Sequence, residues 1–589
     1  MEFQLWFTFS LFFVLIITLL FDLIRPVYAF SGVSFGLILF KVIGINQFIN
    51  SFANESILTI FLLIFIAQIV RDNFNIIGLL DQLFQNTKNP RWFIFKKSLS
   101  VSALSSVMNN TPIVAMLIPY SIHWSKKNDI SVSKVLLPLS FAAITGGMIT
   151  VIGTSTNLVL NGFLEANSLP VLDFKDYLIP GVLVSLGVAI YSSTLGYNLL
   201  PNNTYHATDK KELQKDYLVE CSLVHRKEGE SCTVESLGLR HLNEVFLVEL
   251  IRENQVISPV HPKTELEIGD RLFFAGDKEA AVTFVSSNEF LDWSKSKKFN
   301  ISKESAIVEA VVPYNSGLTN STLRDFDFRL KFNSAVIGIH RNGEKVKGKL
   351  GSVILKPGDL LILIAGNDFK KLLKSQRDLY VITGLKEFSN TSKSNGFKKK
   401  VFVLGALMMI VLNVLNVISF FTLLIGILGI AFVTKLTNST KVKQEFNLEL
   451  ILILGSAITL GLAMGKVGAG EVMVDLLKVV SPNLNMYALV AIIAVLTVLL
   501  TNFVTNVAAV SIMFPIVYAL APLISLPISS LFIIVAFSAS AAFITPIGYQ
   551  TNIMVMGPGG YKSKDYLKFG IPMTIIYFGI LIAYLTFVQ

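Results

Sequence analysis

The chain is 589 residues long and 52% hydrophobic, with 45 phenylalanines and a mean hydropathy of +0.62. That is too apolar for a soluble globule of ordinary composition and points to a polytopic membrane protein. The net charge of +10 lies in loops between apolar runs and in a charged middle segment, a positive-inside pattern that speaks for topology and against a nucleic-acid partner.

In chain order, apolar runs occupy residues 4–23, 27–45, 55–70, 134–163 and 178–199, and then 400–417, 419–434, 448–465, 528–556 and 568–587. Most can cross a ~30 Å hydrocarbon core, which predicts about ten spans. The first run is followed by Asp22, Arg25 and Pro26 rather than a small-residue cleavage site, so a retained span is expected there and not a signal peptide. Lysine and arginine mark 71–97, 125–134, 208–400, 435–443 and 562–568 as cytoplasmic, whereas 46–54 and 164–172 carry none. Threading the spans through these marks puts both termini outside a plasma membrane. It also gives each half an odd number of crossings, so the second half is expected to be inverted.

Two further apolar stretches read as re-entrant hairpins. The first, 98–122, lies between Lys96-Lys97 and Lys126-Lys127 with Asn109-Asn110-Thr111 midway. Each arm is about a dozen residues, too short to span, with Thr111 expected as N-cap and Pro112 as first helical residue of the second arm. The second hairpin, 486–521, has its tip at Thr501–Val507. The tips are copies about 396 residues apart: Asn110 matches Asn506 and Pro119 matches Pro515. A second matched pair, Thr150–Asn157 and Thr545–Asn552, shares Thr, Ile, Gly, Thr and Asn. These polar breaks are expected to divide the runs 134–163 and 528–556 into half-helices beside the tips. The chain is therefore expected to be an all-α polytopic membrane protein of two inverted repeats, 1–200 and 399–589, with re-entrant hairpins and broken helices.

Hydropathy collapses between these halves. The insertion carries its own duplication, Leu266–Gly276 against Leu355–Gly366, in which a Gly-Asp turn feeds a short apolar strand. Strands are also expected at Glu244–Arg252 and Ser334–Arg341. Two tandem small α/β, β-rich cytoplasmic domains follow, 201–298 and 299–398. The two cysteines, Cys221 and Cys232, fall in this reducing compartment, which makes a disulfide improbable. No Cys or His pair has metal-ligand spacing, and no nucleophile–base motif or phosphate loop is present, so the chain does not read as an enzyme. A channel would need a filter loop such as Thr-Val-Gly-Tyr-Gly, which the sequence lacks.

Non-helical backbone at membrane depth survives only where it is buried in protein or lines a cavity, so the breaks point to a binding site. Half-helix N-termini suit an anion. No lysine or arginine lies within the breaks. Carbonyl, Asn and Ser or Thr oxygens are hard ligands for Na⁺, and one Asn can face a cation with its oxygen and an anion with its NH₂. The pattern implies cation-coupled anion uptake, and the scarcity of carboxyl groups near the breaks argues against a proton relay. A lone Ser105 or Thr145 more often serves helix–helix hydrogen bonding, and Gly146-Gly147 reads as close packing.

At these residues the chain resembles the divalent anion:sodium symporter family, whose hairpin tips carry Ser-Asn-Thr; here the positions read Asn109-Asn110-Thr111 and Thr505-Asn506-Val507. The resemblance implies one sodium site at Ser105, Asn109, Asn110 and Gly153 and another at Thr501, Val504, Asn506 and Gly548. It places the anion against Asn110, Thr111, Thr154, Asn506, Tyr549 and Gln550. Val507 removes a hydroxyl, and Ser155-Thr156 and Gln550-Thr551 replace a Pro-Pro typical of the carboxylate carriers. The insertion resembles tandem TrkA C-terminal domains, whose Leu-x-x-Gly-Asp pattern both copies carry. Together with Gly548–Asn552 this implies the sulfate-transporting branch: sodium-coupled sulfate symport by a homodimer moving elevator-fashion among membrane lipid, with a possible small regulatory ligand on the insertion. A sodium-coupled di- or tricarboxylate transporter and a non-transporting anion sensor remain the alternatives.

Overall fold

The computed structural model describes residues 2–587 apart from 21–22, 75–86, 168, 204–217, 226–231, 240–244, 254, 258–259, 262, 277–282, 294–305, 314–315, 342–343, 347–349, 366–368, 370–371, 373–377, 384–395, 416, 447, 470–471, 473–485 and 522–525. Helices dominate both ends of the chain. Before the insertion these are α1 (Glu2–Leu20), α2 (Pro26–Leu39), α3 (Ile45–Phe52), α4 (Glu55–Asn73), α5 (Pro90–Ser105), α6 (Asn110–Lys127), α7 (Leu136–Gly147), α8 (Ser155–Ala166), α9 (Phe174–Ser193) and α10 (Leu195–Leu199). After a short insert helix, α11 (Phe328–Phe332), come α12 (Gly396–Val414), α13 (Phe420–Val433), α14 (Ser439–Glu445), α15 (Leu448–Lys466), α16 (Met486–Phe503), α17 (Asn506–Leu520), α18 (Ile528–Ser540), α19 (Gln550–Gly559) and α20 (Ser563–Phe587).

Among the described residues four helical stretches are long and apolar enough to cross a membrane, Glu2–Leu19, Ile45–Val70, Phe174–Ser193 and Ser563–Thr586, and seven shorter apolar helices accompany them. The ten expected spans thus become helices of mixed length. The runs at 27–45 and 419–434 yield helices of 14 residues each. The runs 134–163 and 528–556 are each two helices, α7 with α8 and α18 with α19, parted at the polar breaks.

In the first expected hairpin the arms are longer than the dozen residues expected, with 16 in α5 and 18 in α6; in the second stretch α16 and α17 have 18 and 15. Asn89 explains the early start of α5. Its Oδ1 accepts from the Arg91 and Trp92 N–H groups at 2.9 and 3.3 Å, and Pro90 follows where no intrahelical donor is needed. The expected cap of α6 is also corrected. Asn109, not Thr111, is the N-cap; its Oδ1 accepts from the Thr111 N–H at 3.3 Å, and Thr111 and Pro112 sit inside the first turn. Asn is among the strongest N-cap residues, and once the helix starts at Asn110 the Thr111 side chain lies inside the first turn.

One apolar core joins the two halves. Phe141 of α7 meets Phe543 at 4.9 Å between ring centroids, and Phe163 of α8 meets Phe514 of α17 at the same distance. Between helices in lipid such packing, not hydrophobic exclusion, supplies the attraction. Polar ties cross as well: Ser140 Oγ lies 2.8 Å from Thr551 Oγ1 and 2.7 Å from Asn552 Oδ1.

The insertion forms two five-stranded antiparallel sheets of one topology. In the first, β3 (Gln255–Ile257), β2 (Val245–Arg252), β4 (Arg271–Gly276), β1 (Leu218–Leu223) and β5 (Leu291–Trp293) lie in that order. In the second the matching order is β8 (Glu344–Lys345), β7 (Ser334–Arg341), β9 (Leu360–Ala365), β6 (Ala306–Val311) and β10 (Tyr380–Thr383). A register shift recurs between Leu247 and Glu249 and between Val336 and Gly338. Each Gly-Asp turn needs a left-handed glycine, with φ of 93° at Gly269 and 85° at Gly358. Each buries its aspartate against an arginine: Arg252 Nη2 to Asp270 Oδ2 and Arg341 Nη2 to Asp359 Oδ2, both 2.7 Å.

The two turns differ in surroundings. A Cβ added at Gly269 would meet open space, whereas one at Gly358 would lie 3.2 Å from the Ile553 side chain of α19. Gly557 of α19 faces back: a Cβ there would lie 3.0 Å from the Gly358 carbonyl oxygen. The second sheet is therefore seated on α19 through backbone at close approach.

Candidate functional site

Two clusters of oxygen stand where the helices break. In the first, Ser105 Oγ of α5 contacts Asn110 Oδ1 at the start of α6 and Ala143 O of α7, the latter at 2.8 Å. In the second, Thr501 Oγ1 of α16 contacts Asn506 Oδ1 at the start of α17, at 2.9 Å, and Ala539 O of α18. All three members are repeated 396 residues on. All four polar side chains are buried. A hydroxyl carries a single hydrogen, so it can satisfy only one of two oxygen acceptors. Three oxygens converging on one hydrogen form an electron-rich cluster of the hard-ligand type that Na⁺ takes.

The neighbouring breaks repeat their wiring too. Gly153 N–H donates to Thr150 Oγ1 at 3.1 Å and Gly548 N–H to Thr545 Oγ1 at 3.2 Å. Asn157 Nδ2 donates to Thr150 O at 2.9 Å and Asn552 Nδ2 to Thr545 O at 3.3 Å. These side chains satisfy backbone that the unwound segments release.

The glycines bring the breaks against the tips. A Cβ at Gly147 would lie 3.0 Å from both the Nδ2 and Oδ1 of Asn110 and 3.2 Å from Gly153 O, so this glycine borders the first cluster. Gly146 is a packing glycine, as expected, because a Cβ there would fall 2.4 Å from Ser102 Cα. At Gly548 a Cβ would sit 2.9 Å from Thr501 O.

The halves meet directly at the first tip. Asn110 Nδ2 donates to Tyr549 Oη at 2.6 Å, and Thr111 Oγ1 donates to Gln550 Oε1 at 3.1 Å. The Thr154 hydroxyl caps α8 by accepting from the Thr156 N–H at 3.4 Å and lies 3.2 Å from Thr156 Oγ1. At the second tip Asn506 Nδ2 is buried and has no hydrogen-bond partner among the described residues.

Of the residues expected from sequence, Ser105, Asn110, Thr111, Gly153, Thr154, Tyr549 and Gln550 are drawn together around the first tip, and Thr501, Asn506 and Gly548 around the second. Asn109 stands apart, turning its side-chain oxygen to its own helix; Val504, expected through its carbonyl, follows the end of α16 between Thr501 and Asn506. The carbonyls of Ala143 and Ala539 had no place in the sequence reading, although Phe141-Ala142-Ala143 and Phe537-Ser538-Ala539 form a third matched pair. Among the described residues no group of His, Cys, Asp and Glu could hold a metal ion.

Buried oxygen clusters at helix breaks inside an apolar helical bundle define a membrane transporter rather than an enzyme. Residues 12–531 match the model of the citrate transporter family, CitMHS, and the chain belongs to that family, which is related to the divalent anion:sodium symporters. It is 31% identical over 549 residues to a putative sulfur deprivation response regulator of Chlamydomonas reinhardtii, covering 90% of this chain and 93% of the relative. An uncharacterized transporter of Synechocystis is 29% identical over 551 residues, 90% and 88% of the two chains. Sodium/sulfate cotransporter 1 of Chlamydomonas reinhardtii is 25% identical over 351 residues, 55% of this chain and 39% of the relative.

Proposed function

We propose that this chain imports sulfate, a divalent inorganic anion, together with sodium. The observation that carries the reading is the pair of matching oxygen clusters, Ser105–Asn110–Ala143 and Thr501–Asn506–Ala539, each with more acceptors than hydrogens. Each cluster takes one sodium ion, with Gly153 and Gly548 adding carbonyls. The anion lies between the tips in the site built from Asn110, Thr111, Thr154, Asn506, Tyr549 and Gln550, at the N-termini of α6, α8, α17 and α19. Asn506 couples the two cargoes, because its oxygen faces the cation cluster while its amide hydrogens remain for the anion. The relatives named as sodium/sulfate cotransporters favour sulfate and sodium.

In the same reading residues 1–200 and 399–589 are inverted repeats with re-entrant hairpins, and the hairpins and broken helices move as an elevator within a homodimer in the plasma membrane. Both termini lie outside. The sheets of 201–298 and 299–398 are cytoplasmic TrkA C-terminal-like domains.

Uptake of radiolabelled sulfate into proteoliposomes, with and without an inward Na⁺ gradient at fixed pH, tests the proposal. Sodium-driven uptake that Asn506→Ala abolishes is the expected result; succinate- or citrate-driven uptake without sulfate transport would replace it with the carboxylate reading. The relative named as a sulfur deprivation response regulator favours a second reading, a non-transporting anion sensor. That reading requires sulfate binding with no uptake of any of the three anions.

A further inference from the structure

The two tips are unequal. At the second, the Asn506 amide is buried without a partner among the described residues. At the first, the donors Asn110 Nδ2 and Thr111 Oγ1 are both engaged by oxygens of the opposite half, Tyr549 Oη and Gln550 Oε1. Buried donors are costly to leave unmet, so these two side chains act on the first tip as a bound oxyanion would.

The duplication shows how this asymmetry arises. Tyr549 occupies the position of Thr154, and Gln550 that of Ser155. Thr154 is short enough to fold back and cap its own helix. Tyr549 is the N-cap of α19 but makes no side-chain cap bond, so its phenol leaves that helix and crosses to Asn110. Val507, at the position of Thr111, takes a hydroxyl from the second tip and leaves the Asn506 amide and the helix N-terminus as its donors.

We infer that Tyr549 sets the size of the transported anion: its ring fills, and its hydroxyl satisfies, the half of the site at the first tip. One compact tetrahedral dianion then fits beside Asn506, and an anion with two separated carboxylates, which needs both tips, is excluded. This rests on the anion-site reading above.

The test compares the parent with Y549T, which installs the residue of the matching position, and Y549F, which keeps the ring and removes the hydroxyl. Sulfate uptake is measured against rising succinate, and succinate binding is measured independently by thermal stabilisation of the detergent-purified protein. In Y549T the succinate concentration giving half-inhibition should fall about 10-fold or more, the scale of discrimination that pocket shape supplies, and succinate should now raise the melting temperature. Y549F should still exclude succinate. If Y549T does not purify as a folded protein, Y549S frees the same space and takes its place. Exclusion of succinate by the folded Y549T or Y549S overturns the inference, as does admission by Y549F or by the parent. Failure of the sodium–sulfate reading alone would be seen as absent sulfate uptake in the parent, and the stabilisation series would still decide the role of Tyr549.

Discussion

Replacing Thr501 by valine keeps the volume of the side chain and removes one oxygen from the second cluster. In the folded protein that oxygen lies 2.9 Å from Asn506 Oδ1 and also contacts Ala539 O. A contact to a charged partner is worth about 1.5–3 kcal/mol, which at about 1.4 kcal/mol per decade is roughly a 10- to 150-fold loss of sodium affinity. The assay is sulfate uptake as a function of external Na⁺ with choline as replacement, where the half-saturating Na⁺ should rise by that factor. Ser105→Ala should do the same at the first cluster. Melting in choline alone separates the ion from the fold, because the hydroxyl also donates its one hydrogen to one of these two acceptors, a bond that valine removes. A variant weakened in choline but unchanged in its sodium dependence would falsify the cation assignment and make Thr501 a packing hydrogen bond only.

Further outcomes follow from the glycines and the insertion. Gly147→Ala should raise half-saturating Na⁺ with a smaller loss of stability than Gly146→Ala, since its methyl would lie 3.0 Å from the Asn110 amide and 3.2 Å from Gly153 O rather than 2.4 Å from Ser102 Cα; Gly146→Ala should lower thermal stability by about 1–3 kcal/mol through overpacking against Ser102. Gly557→Val should loosen the second sheet from α19, read as faster hydrogen exchange at Leu355–Leu360 with no change at the equivalent turn Leu266–Leu272. Burial, with Glu220 adding, pushes the Cys221 thiol up to about 12. A thiol that stays protonated through neutral pH is a poor nucleophile, so Cys221 should resist maleimide at pH 7–8 until the protein is unfolded.

Much of the architecture could be read from single residues whose chemistry has one use. Gly-Asp turns that demand positive φ announced the two sheets, and polar breaks of Thr, Gly and Asn in apolar runs announced that α7 and α18 stop short. What escaped reading shares a different character. Ala143 and Ala539 contribute carbonyls, which every residue owns, so side-chain identity gives no sign of them. The pairs Asn110–Tyr549 and Thr111–Gln550 are separated by 439 residues, and nothing local sets which tip meets which break. Spacing offers Thr111 as the cap, but the helix begins one residue earlier with Asn109 accepting from the Thr111 amide, which puts Thr111 inside the first turn and leaves its hydroxyl for the other half.

The helix α19 has two working ends. Gln550 touches the first tip, and Gly557, roughly 10 Å further along the axis, lies against the carbonyl of Gly358, with the Ile553 and Leu360 side chains beside it. One helix thus carries a hydrogen bond to the first tip near one end and a close glycine-to-glycine approach to the second sheet near the other, so the same ten residues take part in both the site and the seat of the insertion.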